Sequence, residues 1–279
     1  MRDIISLNST NYIGNNLYRI RLPKATQFKK GDQISLYSFS MYNSFYNISA
    51  SQYQNTSISV NWLGTIYNWT IPDGYYSVSD LDIWLQSQFI LNKLYCTNST
   101  NSQNIFFVRF LTNSVLYKNE IDVFYIPSAA NASSFGYVIP SNASWVFPST
   151  NTMITITINQ NLQKYFGITN LLTFGDITPA QNMYYISNVT PTISPVFSIF
   201  VGCSLISSNF NQIANLMAQF PISASFGNLI RYNSTMDSNI DINPGVYNSI
   251  DITLWDQENN ALNFQDTDVT IFFIVNISE

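Results

Sequence analysis

Histidine is absent from all 279 residues. That removes the Ser-His-Asp and Cys-His relays of nucleophilic catalysis and the imidazole ligands of metal centres. Cysteine occurs twice, at Cys96 and Cys203. Two distant thiols make neither a disulfide framework nor a structural zinc site, so each is expected as a buried, small apolar side chain. Charge is the next shortage. Asp, Glu, Lys and Arg make up 10% of the chain, against roughly 25% in an ordinary soluble domain. No charged residue occurs over 33–72, 123–163 or 177–230. None of these gaps reads as a membrane span, because Asn, Gln, Ser and Pro interrupt each one well short of about 18 apolar residues. A glycine-rich phosphate loop is missing too. The start, Met1 to Asn8, lacks an apolar signal core and a small-residue cleavage site, so synthesis inside the cell without secretion is expected. No cofactor or metal is expected.

What is present is apolar and aromatic. Hydrophobic residues reach 46%, with 18 Tyr, 20 Phe and 5 Trp, enough to bury a large core in one or two domains. Asparagine occurs 35 times and lysine only 6. An A/T-rich gene would inflate both, because their codons share two bases, so nucleotide bias alone does not account for the scarcity of charge. Removing charge makes physical sense on surfaces that a neighbour will desolvate, since a buried unpaired charge costs several kcal/mol. Interface cores are depleted in Lys, Glu and Asp and enriched in aromatics. The composition points to an assembling protein.

Period-two alternation bounded by turn residues predicts strands along most of the chain. Leu17–Leu22 reads as the first, Ile34–Tyr42 as the second, and Ser57–Trp62 with Ile66–Ile71 as a hairpin turning at Gly64. Ser77 and Asp80 have capping-box spacing ahead of Leu81, Trp84, Leu85 and Phe89, which predicts a helix to about Tyr95. Strands are expected again at 105–111, 121–126 and 153–158, around a loop-rich stretch over 127–150. Leu162, Tyr165 and Phe166 before Gly167 predict a short helix with a glycine cap. A long strand follows over 196–206, then others over 227–232 and 249–255. The last, Val269 to Ile277, is apolar on both faces: Val269, Ile271, Phe273, Val275 and Ile277 on one, Phe272 and Ile274 on the other. Such a strand must be covered twice. Ile213, Leu216, Met217 and Phe220 fit helical spacing ended by Pro221.

Three segments carry a resemblance. They are Ile71-Pro-Asp-Gly-Tyr-Tyr-Ser-Val-Ser-Asp-Leu81, the strand Pro195 to Ile206 with its Cys203-Ser-Leu-Ile ending, and the terminal pair of strands joined through Asp256-Gln257. In this order they resemble the penton proteins, the single jelly-roll minor capsid proteins of virophages and Polinton-like elements. The resemblance implies an all-β chain: a single jelly-roll β-sandwich from residues 1–45 and 190–279, with an inserted, mostly β outer domain, 46–189, carrying one helix. It implies a strand rather than a helix near 216–220. It further implies a structural capsid protein of the virion, forming the homopentameric vertex of an icosahedral virus beside the major capsid protein.

Candidate contact residues follow from both readings. Trp255, Phe272 and Ile274 are the candidate subunit interface. Arg19, Arg21, Lys24, Lys29 and Lys30 gather five of the eleven cations in twelve positions. They read either as a solvated strand edge or as an inner face in weak, nonspecific, salt-sensitive contact with packaged DNA. The carboxylate pairs Asp80/Asp82, Asp251/Asp256 and Asp266/Asp268 sit in turns or at a helix start, where capping and solvation explain them, and no catalytic residue is assigned. Trp62, Trp69, Trp84, Trp145 and Trp255 among abundant Tyr and Asn suit a core or an uncharged interface. The alternative they support is a glycan-binding β-sandwich attachment protein.

Overall fold

Eight strands from the two ends of the chain are divided between two antiparallel sheets. In chain order they are β1 (Arg2–Leu7), β2 (Leu17–Phe28), β3 (Gln33–Tyr42), β4 (Ser198–Cys203), β5 (Leu216–Pro221), β6 (Leu229–Asn233), β7 (Gly245–Trp255) and β8 (Val269–Asn276). One sheet runs β1-β8-β3-β6 and the other β2-β7-β4-β5. Short strands Tyr12–Gly14 and Ile240–Asp241 pair with β2 and β3. Two four-stranded sheets in this order are the two interlocked Greek keys of a jelly roll. The computed structural model describes residues 2–207, 215–234 and 238–278. It divides into two compact units, Met1–Tyr46 with Ser194–Glu279, and Asn47–Ile193.

Alternation supplies the roll's core. β7 buries Ile250, Ile252 and Leu254, β4 buries Ile199, Val201 and Cys203, β3 buries Ile34, Leu36, Phe39 and Met41, and β8 buries Val269, Ile271, Phe273 and Val275. Phe39 of one sheet meets Phe220 of the other at a centroid distance of 4.7 Å. At the base of the roll Asp32 accepts hydrogen bonds from Lys29 N, Ser278 N and Ser278 Oγ. Those bonds, that of Lys29 foremost, hold its carboxyl below the usual carboxylate range.

The inserted unit has its own core. Strands Ser57–Trp62 and Thr65–Thr70 form the expected hairpin, closed by Leu63 (φ 51°) and Gly64 (φ 90°), the left-handed pair that a two-residue turn requires. Thr155–Ile158 pairs on the other side of the first strand, and Thr173–Phe174 beyond it. A second sheet pairs Met183–Ile186, Lys118–Val123 and Val108–Asn113. Helix α1 (Val78–Leu91) begins at a capping box, with Ser77 Oγ accepting from Asp80 N and Asp80 Oδ2 accepting from Ser77 N. It buries Leu81, Leu85 and Phe89 beside Trp62, Phe110 and Ile156.

Several expectations change. The roll begins earlier than Leu17: Arg2–Leu7 is an edge strand in which only Leu7 is buried, so it shows no clean alternation. The insert carries three helices rather than one, namely α1, α2 (Ala129–Ser134) and α3 (Gln160–Phe166). α2 falls within the stretch expected to be loop-rich, and with Ala132 as its only buried residue it has no apolar periodicity to announce it. α3 ends at Gly167, φ 69°, the left-handed glycine cap its sequence predicts. Residues 216–221 form a strand, the alternative that the resemblance implies, rather than the helix that the apolar spacing allows, while Ile213 lies outside the described residues.

The ends of the insert are drawn together by one side chain. Asn47, 2% exposed, donates from Nδ2 to Ile193 O at 2.9 Å and to Tyr76 O at 2.8 Å, and its Oδ1 accepts from Tyr76 N at 2.8 Å. Asn47→Ala removes all three bonds at a buried point, and we expect the inserted unit to lose on the order of 1–3 kcal/mol. Urea denaturation and limited proteolysis around residues 47–56 measure the loss; an unchanged midpoint would show the clamp to be dispensable.

Candidate contact surfaces and polar clusters

The register of the β1-β8-β3-β6 sheet sets what it presents away from the core. Phe272 lies opposite Ser6 on β1 and Ser38 on β3, Thr270 opposite Ser40, and Ile274 opposite Ile4 and Ser35. The β3–β8 ladder shifts there, leaving Tyr37 without an opposite number, the two-against-one geometry of a bulge. Ile4 is 69% exposed, Tyr37 52%, Tyr42 41% and Phe272 37%. The paired positions named here contain no carboxylate. Large apolar groups thus stand among short hydroxyl side chains, which have little rotamer freedom to lose when covered.

Ile274 departs from expectation. It is only 3% exposed within the single chain, so no second subunit is needed to cover it. Ser234 N donates to Tyr37 O at 2.9 Å, and Asn276 Nδ2 to Asn239 Oδ1 at 3.0 Å. The second cover of the two-faced strand at Ile274 is therefore its own chain, whereas Phe272 remains partly open.

On the other sheet, Trp255 is half-buried at the end of β7. Its ring lies on Gly202, where an added Cβ would come within 2.2 Å of it. A glycine at this strand position is what admits the close approach. Arg19 and Arg21 share the outward face of β2. Arg19 faces Asp251 and clamps it through Nε and Nη2, both at 2.7 Å, so it is already paired rather than a free phosphate ligand. Arg21, Lys24, Lys29 and Lys30 are exposed.

The carboxylate pairs separate into local roles. Asp80 caps α1, and the Ser77 hydroxyl holds its carboxyl below the usual range. Asp256 Oδ1 accepts from the backbone of Glu258 and Asn260, and Asp266 Oδ1 from that of Asp268. Asp82 is buried against Arg109, Nη2–Oδ2 3.0 Å, and takes the Phe110 N–H at 2.8 Å. Beside it, Asp122 faces Arg109 across the ladder, is 5% exposed, and leaves Oδ1 unpartnered. Burial pushes the Asp122 carboxyl up to about 7; its hydrogen bond with Glu120 and the charges of Glu120 and Asp82 add to this, and Arg109 opposes it. Cys96 and Cys203 are free and buried, and burial pushes both thiols up to about 12. Among the described residues no cluster of three or more Cys, Asp or Glu is arranged to hold a metal, and no helix is long and apolar enough to cross a membrane.

The tryptophans are split between the units. Trp62 and Trp145 meet at 5.1 Å in the insert, and Trp69 packs edge-on to Phe89 at 5.4 Å, while Trp255 belongs to the roll. An open cleft of about 490 Å³ lies against Trp62, Trp145 and Tyr67. Ser144, Trp145, Val146 and Pro148 line part of it; of these only Trp145 stands out in the sequence, by residue type rather than by period.

No family model and no curated protein matches the sequence. Among solved structures the chain is similar to the mavirus penton protein, at 11% identity and a TM-score of 0.45, over 100% of this chain and 99% of that one. It is also similar to a chain of the Sputnik virophage structure, at 12% identity and a TM-score of 0.41, over 99% and 97%.

Two outcomes follow from the buried groups. Ile274→Asp puts a carboxylate where the chain already excludes water, so it should destabilise the isolated subunit itself by several kcal/mol. Circular dichroism in urea checks this, and a native-like midpoint would return Ile274 to an intermolecular role. The second concerns pH. Asp122 binds its proton more tightly folded than unfolded, where a carboxyl titrates near about 3.9. The folded state therefore holds the extra proton between those values, and stability falls as pH rises through about 7. With no imidazole to titrate there, the melting temperature should drop between pH 6 and 8, and Asp122→Asn should flatten that drop. An unaltered slope in the variant refutes the assignment.

Proposed function

We propose that the chain is a structural capsid protein that forms the pentameric vertex of an icosahedral virus, assembling with itself and with the major capsid protein. The observation that carries this reading is the outward face of the β1-β8-β3-β6 sheet, where Ile4, Tyr37, Tyr42 and Phe272 are exposed among serines, while Arg2, Arg231 and Asp241 carry charge on the edge strands. Water opposes the apolar centre of such a face. A partner subunit covers that centre with little loss of side-chain freedom, and the charged edges suit the polar rim of an interface. A roll whose two flanks differ suits head-to-tail contacts, which close into a ring when the rotation allows. The three ordered sequence segments support the vertex role in particular.

The mechanism is geometric rather than chemical. With no histidine, and with the carboxylates described above held in caps, turns and ion pairs, we infer no enzyme activity. The exposed cations Arg21, Lys24, Lys29 and Lys30 are proposed to give at most a weak contact with packaged DNA, given a net charge of -5, and one that fades as salt rises. We place the protein in the virion.

The test is mass and symmetry in solution. The wild-type protein should form a stable oligomer burying on the order of 2,000 Å² or more per contact, typical of obligate assemblies, and electron microscopy should show fivefold rings. Ile4→Asp and Phe272→Asp alter side chains that are already partly in water, so each should keep its fold and abolish the rings. A monomer at micromolar concentration and physiological salt, or rings that survive both substitutions, would sink the proposal.

A further inference from the structure

We propose that the open cleft of the inserted unit binds an uncharged saccharide. This goes beyond the capsid reading and stands on a different unit of the chain. The cleft has about 490 Å³ of space, within the roughly 300–1,000 Å³ of small-molecule sites. Its floor is preset. Trp62 meets Trp145 at 5.1 Å and 73°, and Phe107 at 5.7 Å, while Trp145 Nε1 donates to Lys93 O at 2.7 Å. A wall fixed by ring packing and a hydrogen bond loses little freedom when a ligand arrives.

Chemistry then selects the ligand class. No charged residue lines the cleft. An anion or cation entering it would shed water and find no partner. Tyr67, Pro148 and Val146 give an apolar surface, and Thr65, Ser144 and Thr152 add hydroxyls. A pyranose ring matches this pairing, with a C–H face for the apolar side and hydroxyls around its edge. Trp62 lies beneath this lining: it borders the cleft but is only 1% exposed, so it backs the open surface as a fixed ring.

The purified full chain tests this against a panel of uncharged oligosaccharides ending in glucose, galactose, fucose or N-acetylglucosamine, with sialylated and sulfated glycans alongside. Saturation-transfer NMR should detect at least one uncharged member at millimolar concentration, and tryptophan emission should shift on titration. Val146→Asp changes a residue that is 76% exposed, and Ser144→Trp fills the mouth from another exposed position. Both should leave the melting temperature unchanged and weaken binding at least about tenfold. Binding to none of the uncharged glycans overturns the proposal. So does preference for the anionic ones, or binding indifferent to both variants.

Discussion

The whole molecule depends on the two ends of a folded insert meeting at one point. The roll is continuous in space but broken in sequence, since β3 ends at Tyr42 and β4 begins at Ser198. Its core needs Phe39 of β3 and Ile199 of β4 in the same cluster. An unstructured connection of that length would add closure entropy only slowly, as the logarithm of its length. A folded insert with distant ends would be worse, because it would pull the strands apart. Asn47 answers this by bonding to Ile193 across the insert's mouth. The junction closes like a short turn, and each unit keeps a separate hydrophobic cluster.

Within the roll, β8 concentrates the same kind of constraint. It lies between β1 and β3, so the last strand to be made completes a sheet begun by the first. Its inward side chains alternate without interruption against β1, whereas the ladder with β3 shifts at Tyr37. That extra residue delivers a tyrosine to the outward surface beside Phe272 while leaving Leu36 and Phe39 both in the core. Such long-range pairing is slow to nucleate. It is tolerable here because β7 and β8 are close in sequence and each already carries a full apolar face.

How much of this could be read from the sequence depended on how local the cause was. The strands of β7 and β8, the Gly64 turn, the Ser77–Asp80 capping box and the Gly167 cap are written in neighbouring residues, and they were legible. β1 was not, because an edge strand with Ile4 in water and Leu7 inside has no alternation to detect. Ile274 and Phe272 look alike in sequence, and only the folded chain shows one buried and the other partly open. The clamp at Asn47 joins residues far apart, and one more asparagine in an asparagine-rich chain carries no signal. The cleft is harder still, since Trp62 and Trp145 become neighbours only after folding. The scarcity of charge was legible as composition, but not where it would matter.

That scarcity has opposite consequences in the two units. On the roll, charge is absent from the named positions at the centre of an outward sheet face, and five cations gather on the strand and turn from Arg19 to Lys30, where Arg19 is tied to Asp251. In the insert, Asp73, Asp80, Lys164 and Asp176 are exposed, but Asp82 and Asp122 are buried, and with Arg109 and Glu120 they lie on or beside one three-stranded sheet. A cluster of three acids around one arginine makes the stability of the fold that holds it respond to protonation near neutrality. Because the two units have separate cores, substitutions in one should act nearly independently of those in the other. Either unit can therefore tolerate change without loss of packing in the other.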